Sequence, residues 1–264
     1  MTGDNAGVSP SWISVITVVK NDPDGFSRTL DSLSDCDLGG VEFVVIDSSS
    51  DRSAVPSLLG DFPVTYAWLP PAGIYSAMNA ALQVATGDLV YFANAGDTIY
   101  APDVLARAHS LLRDAVWGHG PVSVVEQSGR EVVTPAWDYA REKAAGFSRG
   151  HFPAHQGTFA RRDVLLSLGG FDTSYDIAGD YAMALRLSQV ADPVELPFVI
   201  ARFHEGGAST LRWQDSFSQF QRARREILRP RGMGALRQGW HGAVHYGSVW
   251  LHRKVLTPVR GDRQ

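Results

Sequence analysis

The strongest constraint on this chain is the alternation, through its first hundred residues, of short β-rich runs with helical stretches, each run closing on a polar cluster. Trp12 to Val19 is dominated by Ile, Val and Thr and stops at Asn21-Asp22-Pro23, a turn and helix-start signal. A helix is predicted from Pro23 to Leu33, with Phe26, Leu30 and Leu33 at helical spacing. Val41 to Ile46 is a second strand, halted by Asp47-Ser48-Ser49-Ser50-Asp51; a short helix and a third strand near Val64 to Trp68 follow. Gly73 to Ala85 reads as a helix through Met78, Ala81, Leu82 and Ala85. Thr86-Gly87-Asp88 then turns the chain into a fourth strand, Leu89 to Ala93, which ends at Asn94-Ala95-Gly96-Asp97. Strands separated by such helices form βαβ units. The predicted fold class is therefore α/β, a mostly parallel central sheet with flanking helices.

The second half is mixed. Val122–Val125 and Glu131–Val133 flank Gln127-Ser128-Gly129-Arg130 as a hairpin. Helices are predicted over Arg162–Leu168, Gly179–Gln189 and Asp215–Leu228, and one more strand over Phe198–Phe203. No internal repeat or low-complexity linker divides the chain, and 264 residues suit one large α/β domain with an appendage. The single cysteine, Cys36, excludes an internal disulfide framework and a Cys-cluster metal site. Met1 to Pro10 lack the cationic start and apolar core of a signal peptide, and no stretch approaches the ~20 apolar residues of a membrane span. The expected compartment is the cytoplasm.

The net charge of −4 hides an asymmetry, because from Leu211 onward 11 Arg/Lys face 3 Asp/Glu and the rest of the chain is acidic. This divides the chain into a body, residues 1–210, and a basic, mainly helical extension, 211–264. In the extension Phe217, Phe220 and Ile227 recur among Arg222, Arg224, Arg225 and Arg229, and Trp240, Val244 and Trp250 follow with His241 and His245. Such a segment suits an interfacial helix on anionic lipid, placing the protein peripherally at the inner face of a membrane. It equally suits a helix packed on the body or on a dimer partner. No recognisable nucleic-acid module accompanies the basic residues, so nucleic acid is not an expected partner.

In open α/β sheets, ligands bind beyond the carboxyl ends of the strands, where strand order reverses. Three such ends carry chemistry here: Lys20-Asn21-Asp22, Asp47-Ser48-Ser49 and Asn94-Ala95-Gly96-Asp97. A carboxylate closing a buried strand needs a partner, and base N–H groups, ribose hydroxyls and divalent cations all qualify. Asp47 and Asp97 also suit ordinary turn or cap positions. No glycine-rich phosphate loop is present, which leaves the helix opening at Gly73 as the nearest anion site.

Several segments together resemble family-2 glycosyltransferases, in particular the bacterial branch that assembles surface polysaccharides and glycolipids. They are Ser14 to Asn21, Val45 to Asp51, Gly73 to Asn79, Ala85 to Asp88, Phe92 to Asp97, His155 to Phe159, and Gly169-Gly170-Phe171-Asp172 through Tyr181. They occur in the family's order over roughly residues 13 to 210. The resemblance implies a GT-A fold and inverting transfer from a UDP- or TDP-sugar to a hydroxyl of a glycan, lipid-linked or small-molecule acceptor. It implies that Asp47 bonds the nucleobase, that Thr17 and Val18 line the base pocket, and that Gly73 and Asn79 face the sugar-diphosphate. It implies Asp180, at a helix start, as the base, with Asp176 a weaker candidate, and His155-Gln156 at the acceptor floor or the diphosphate. The family often gathers paired aspartates for Mg²⁺ or Mn²⁺; here Asn94 and Gly96 occupy that pair and leave Asp97 as the expected metal ligand, with His204 as a further candidate. Trp68, Trp117 and Trp137 suit either sugar stacking or core packing. The competing readings are a nucleotidyltransferase of related fold or a sugar-nucleotide-binding protein without catalysis; a dehydrogenase is disfavoured by the missing dinucleotide fingerprint.

Overall fold

The computed structural model describes residues 12–126, 128–142, 145–149, 151–204 and 212–229. β1 (Ile13–Val19) is buried at every position because it is an inner strand of the main sheet. It pairs in parallel with β2 (Val41–Asp47) on one side and with β4 (Leu89–Phe92) on the other. A strand covered on both faces reads as a near-continuous Ile/Val run, as this one does. β3 (Thr65–Trp68) extends the sheet beyond β2. On the far side lie β9 (Thr158–Arg161), β6 (Trp117–His119) and β10 (Val194–Glu195), giving the order β10-β6-β9-β4-β1-β2-β3. Of the seven, β9 alone runs antiparallel to its neighbours. The sheet is mixed and mostly parallel.

Helices cover both faces. α1 (Pro23–Ser34) starts on Asp22, whose Oδ1 accepts the Gly25 N–H at 2.8 Å, with Pro23 in the first turn. α2 (Ala54–Leu59) follows β2, and α3 (Ile74–Val84) follows β3. On one face, Met78 and Leu82 of α3 pack with Ile16, Val18 and Phe92, and with Tyr181 and Leu185 of α8 (Gly179–Val190). On the other, Leu33 of α1 and Leu105 and Leu112 of α4 (Val104–Leu112) pack against Ile13 and Val15. Each fully buried Ile, Leu or Phe contributes about 1.5–3 kcal/mol relative to exposure.

A second sheet, ordered β5-β11-β7-β8, contains β5 (Thr98–Ile99), β7 (Val122–Val125), β8 (Glu131–Thr134) and β11 (Ala201–His204). β7 and β8 form the expected antiparallel hairpin; Gln127 in its turn lies outside the described residues. The short helices α5 (Tyr139–Glu142), α6 (Ala145–Arg149) and α7 (Arg162–Ser167) complete this half. The strand expected from Phe198 begins later, at Ala201, because Phe198 to Ile200 run as irregular chain.

α9 (Trp213–Leu228) opens the segment beyond residue 210 and packs on the body. The Phe220 ring stacks on Tyr181 of α8 at 4.3 Å, Ala223 is fully buried, and Ile227 packs on the same cluster. Arg224 is buried and donates to the Phe147 carbonyl and the Tyr181 hydroxyl at 3.0 and 3.1 Å. In this helix the apolar residues offered above as lipid-facing, Phe220 and Ile227, pack on the body. Trp240, His241, Val244, His245 and Trp250 lie outside the described residues. No helix among the described residues is long and apolar enough to cross a membrane.

Candidate active site

Chain order reverses about β1, which is followed by β2 and β3 on one side and β4 on the other. At that reversal a cleft of about 320 Å³ opens beyond the strand ends, lined by Val18, Lys20, Asp22, Ser48, Gly73 and Asn94 among others. Gly73 caps α3, so the unpaired N–H groups of that helix start at the cleft wall and favour an anion there. The loops behind it are laced together. Asn21, with a left-handed φ of 55°, donates its N–H to Ser49 Oγ at 2.9 Å and accepts the Ser50 N–H at 2.8 Å. Trp68 donates from its indole to the Ser49 carbonyl at 2.9 Å, and the Arg52 guanidinium lies 3.6 Å over the Trp68 ring. A second lobe of about 300 Å³ shares Gly73 and Ile74 with this cleft and reaches Tyr175, Asp176 and Arg212.

Several of the expected ligand residues bond to the protein itself. Asp47 is 0% exposed; its Oδ1 accepts the Ser49 N–H at 2.8 Å and its Oδ2 the Tyr66 hydroxyl at 3.0 Å. Burial and this carboxylate push the Tyr66 phenol up to about 12, so it stays a donor. Asp47 thus shapes the loop, and its neighbour Ser48 is the residue that faces the cleft. Thr17 is buried and, by strand alternation, on the face opposite to Val18; Val18 lines the cleft and Thr17 does not. Asn79 spends its amide on one backbone unit, donating to the Phe171 carbonyl at 2.8 Å and accepting the Phe171 N–H at 2.7 Å. It ties the Gly169-Gly170-Phe171 turn to α3 instead of reaching a diphosphate. Trp117 is core, donating to the Ala191 carbonyl at 2.8 Å, and His204 sits at the end of β11 without lining the cleft.

Asp97 is likewise set back. It is 6% exposed, accepts the Asn94 N–H at 3.2 Å, and is pushed by burial up to about 7, partly offset by a bond to Gln156. As placed, it braces the Asn94–Asp97 loop from behind. Gly96, with φ +98°, puts no side chain into the cleft. The side-chain oxygen donors among the cleft's lining residues are those of Asp22, Ser48 and Asn94, and Asn94 Oδ1 is buried with no partner among the described residues. A divalent cation that keeps several waters and the diphosphate oxygens needs only one or two such protein oxygens, a number this lining can supply, with Asp97 set behind it. No group of three or more His, Cys, Asp or Glu gathers among the described residues.

Asp180 opens α8. Its Oδ1 accepts the Tyr75 hydroxyl at 3.2 Å and the Tyr181 N–H at 2.8 Å; Oδ2 carries no hydrogen bond among the described residues. Burial and the nearby Asp180 charge hold the Tyr75 phenol far above its usual range, so Tyr75 remains protonated and orients the carboxylate. The single Tyr75 O–H proton is shared with the Ile177 carbonyl, the nearer of the two acceptors. A Cβ at Gly179 would stand 2.7 Å from the Tyr75 ring, which is why a glycine precedes Asp180. His155 lies with Asp180 around a small pocket rather than at the cleft beyond the strand ends, between the rings of Phe92 and Phe171. Burial lowers its pKa and keeps it neutral. Asp176 is exposed, 4.0 Å from Arg212. Sequence reasoning missed Tyr75 and Gln219. The first sits inside the Gly73–Asn79 segment; the second, on α9, accepts three N–H groups, from Asp176, Ile177 and Ala178, at 3.1–3.2 Å.

Residues 14–169 match the family model for glycosyl transferase family 2, and the chain belongs to that family. It is 31% identical over 222 residues to an uncharacterized glycosyltransferase of Mycobacterium tuberculosis, covering 77% of this chain and 79% of that protein. It is 25% identical over 166 residues to a PGL/p-HBAD biosynthesis glycosyltransferase of Mycobacterium bovis, covering 60% and 62%. Among solved structures it resembles residues 1–349 of TarS of S. aureus in complex with UDP-GlcNAc, with TM-score 0.65, 18% identity and coverage of 92% and 73%. It also resembles the mannosyltransferase PcManGT of Pyrobaculum calidifontis in complex with GDP-Man and Mn²⁺, with TM-score 0.61, 20% identity and coverage of 94% and 76%. The fold is that of the GT-A transferases, and the chain is a nucleotide-sugar-dependent glycosyltransferase.

Proposed function

We propose that this enzyme transfers a sugar from a UDP- or TDP-sugar to an acceptor hydroxyl in a single, inverting displacement, with Asp180 as general base. The observation that carries the reading is the asymmetry of Asp180: Tyr75 and the Tyr181 N–H fix one oxygen, and the other is left to take a proton. The acceptor oxygen attacks the anomeric carbon from the face opposite the diphosphate, its proton passing to Asp180 as the bond to the leaving oxygen breaks. The departing diphosphate is met by Lys20 and the N-terminus of α3. A divalent cation, as in the Mn²⁺-bound mannosyltransferase, would be held by Asp22 and Asn94 and neutralise charge on the leaving group. The mycobacterial relative named for PGL/p-HBAD biosynthesis supports a glycolipid acceptor.

The test begins with thermal stabilisation by a panel of UDP-, TDP- and GDP-sugars with Mn²⁺ or Mg²⁺, followed by transfer assays with the donor that binds. Asp180→Asn is expected to lower transfer by about 10²–10⁴-fold while nucleotide stabilisation persists. NMR of the product should show the inverted anomer. Intact turnover in the variant removes Asp180 as base, and a retained anomer refutes the single displacement.

A further inference from the structure

α1 runs beside the loop that closes β4, and Thr29 stitches the two together. Thr29 is buried; it donates its hydroxyl to the Asp97 carbonyl at 2.7 Å and accepts the Gly96 N–H at 3.0 Å. The preceding residue, Arg28, is exposed on the same helix and is thereby presented to that loop. A Cβ at Gly96 would stand 3.9 Å from Asp22 Oδ2 and 4.0 Å from an Arg28 Nη. The bare backbone of Gly96 therefore lies between a carboxylate that lines the cleft and a guanidinium at its edge.

That guanidinium is unpaired among the described residues. Asp24 and Asp31 lie four and three residues from Arg28 on α1, the spacings at which helix ion pairs form, and neither pairs with it. Asp22 spends Oδ1 on the Gly25 N–H and makes no ion pair with Arg28 either. A carboxylate at position 96, where the resemblance to the family expects one, would meet Arg28. Glycine, suited to the φ of +98° there, leaves the guanidinium accessible and the approach to it open.

Together with Lys20, Arg28 sets two cations against Asp22, the one carboxylate among the cleft's lining residues. Such an edge favours an anion with several acceptor oxygens, and the planar fork of a guanidinium matches phosphate. The anion that sugar transfer brings to this cleft is the donor's diphosphate. We propose that Arg28 is a donor-binding residue: its guanidinium bonds the diphosphate of the nucleotide-sugar across Gly96 and gives the leaving group positive charge that does not depend on a metal ion. The inference rests on the glycosyl-transfer reading above, which is what places a diphosphate here.

The test compares UDP with UMP, and TDP with TMP, by titration calorimetry on the full-length chain in EDTA. The wild type is expected to bind a diphosphate more tightly than its monophosphate. Arg28→Ala should weaken the diphosphate about tenfold and leave the monophosphate within about twofold, which removes the preference. Arg28→Lys, which keeps the charge and loses the fork, should fall between the two. Because Arg28 is exposed and bonds nothing among the described residues, Tm without nucleotide should be the same in all three proteins. The proposal is overturned if the wild type shows no diphosphate preference in EDTA, if Arg28→Ala keeps that preference, or if monophosphate and diphosphate weaken equally. A loss confined to UDP-glucuronate, with UDP unaffected, also overturns it, because Arg28 would then read a carboxylate on the sugar. Failure of the wild type to bind any of these nucleotides even with Mn²⁺ is a separate result, and it counts against the glycosyl-transfer reading itself.

Discussion

Gln219→Leu isolates what α9 does for the candidate base. In the wild type one oxygen, Gln219 Oε1, accepts the N–H groups of Asp176, Ile177 and Ala178, the three residues that lead into the first turn of α8. Ile177 and Ala178 are buried and Asp176 is exposed, so the substitution strands two donors and leaves the third to water. A stranded buried donor costs about 1–3 kcal/mol; long bonds sharing one oxygen belong at the lower end, giving roughly 2–3 kcal/mol in all. For a domain of this size that corresponds to a fall in Tm of about 5–10 °C by scanning calorimetry. α9 should stay docked, because Glu226 accepts the Tyr175 hydroxyl at 2.7 Å and Arg222 donates to Ser174, so the damage is local. A loosened turn moves the Asp180 carboxylate, and misplacement on the order of 1 Å costs about 100-fold in rate. The expected result is a fall in kcat of about that size with KM for the donor nearly unchanged. Gln219→Glu, which keeps the acceptor, should recover most of both losses. The reasoning is refuted if Gln219→Leu leaves Tm and kcat where they were, or if the Glu variant is no better than the Leu variant.

Asp97→Asn tests the buried carboxyl by its pH dependence. Its folded pKa, about 7, is raised above the unfolded value, so its contribution to stability is complete below about pH 4 and is lost as pH rises toward 7. The Asn variant should therefore gain stability over the wild type at pH 8, by at most on the order of 4 kcal/mol, and gain nothing at pH 4; denaturant unfolding at the two pH values measures the difference, and a gap that does not change with pH contradicts it. Asn79→Ala should lower Tm, because the Phe171 backbone loses both partners, and leave UDP affinity unchanged by calorimetry; weaker UDP binding would return Asn79 to the diphosphate. Gly179→Ala should lower kcat at least tenfold, because the new Cβ meets the Tyr75 ring, and wild-type turnover in that variant would show that the contact relaxes freely.

The parallel half of the fold was legible because buried strands must be apolar, and the turns between them must carry Asn, Asp, Gly and Pro. β1, β2 and β4 therefore stood out, and with them the reversal point where Lys20, Ser48 and Asn94 meet. β6 and β9 were not, since Trp117-Gly118-His119 and Thr158 to Arg161 are too short and mixed to show a period; their pairing is set by tertiary contact. The motif residues divided by geometry that no spacing reveals. Asp47, Asn79 and Asp97 belong to segments that resemble a donor site, yet each turns its polar atoms inward to hold a loop. The segment Ala85 to Asp88 sits at the opposite end of β4, where the Gly87 N–H bonds Ser14 Oγ at 2.8 Å. Gln219 left no local signal at all, because its three partners are 41–43 residues away in the chain.

Under the proposed mechanism, α3 joins the donor cleft to the base. Gly73 and Ile74 line the nucleotide cleft, and the next residue, Tyr75, bonds the candidate base. One turn further on, Asn79 fixes the Phe171 backbone, and the Phe171 ring stacks on Tyr75 with centroids 5.7 Å apart. The α3 N-terminus can therefore not shift toward a bound diphosphate without carrying Tyr75, and Tyr75 cannot move without disturbing Asp180 or the Ile177 carbonyl. On the other side of Asp180, Gln219 holds the backbone of that same turn. Asp180 is thus held from two directions, by α3 through its side chain and by α9 through its main chain, so under the proposed mechanism residues 212–229 support the base even though the family model ends at residue 169.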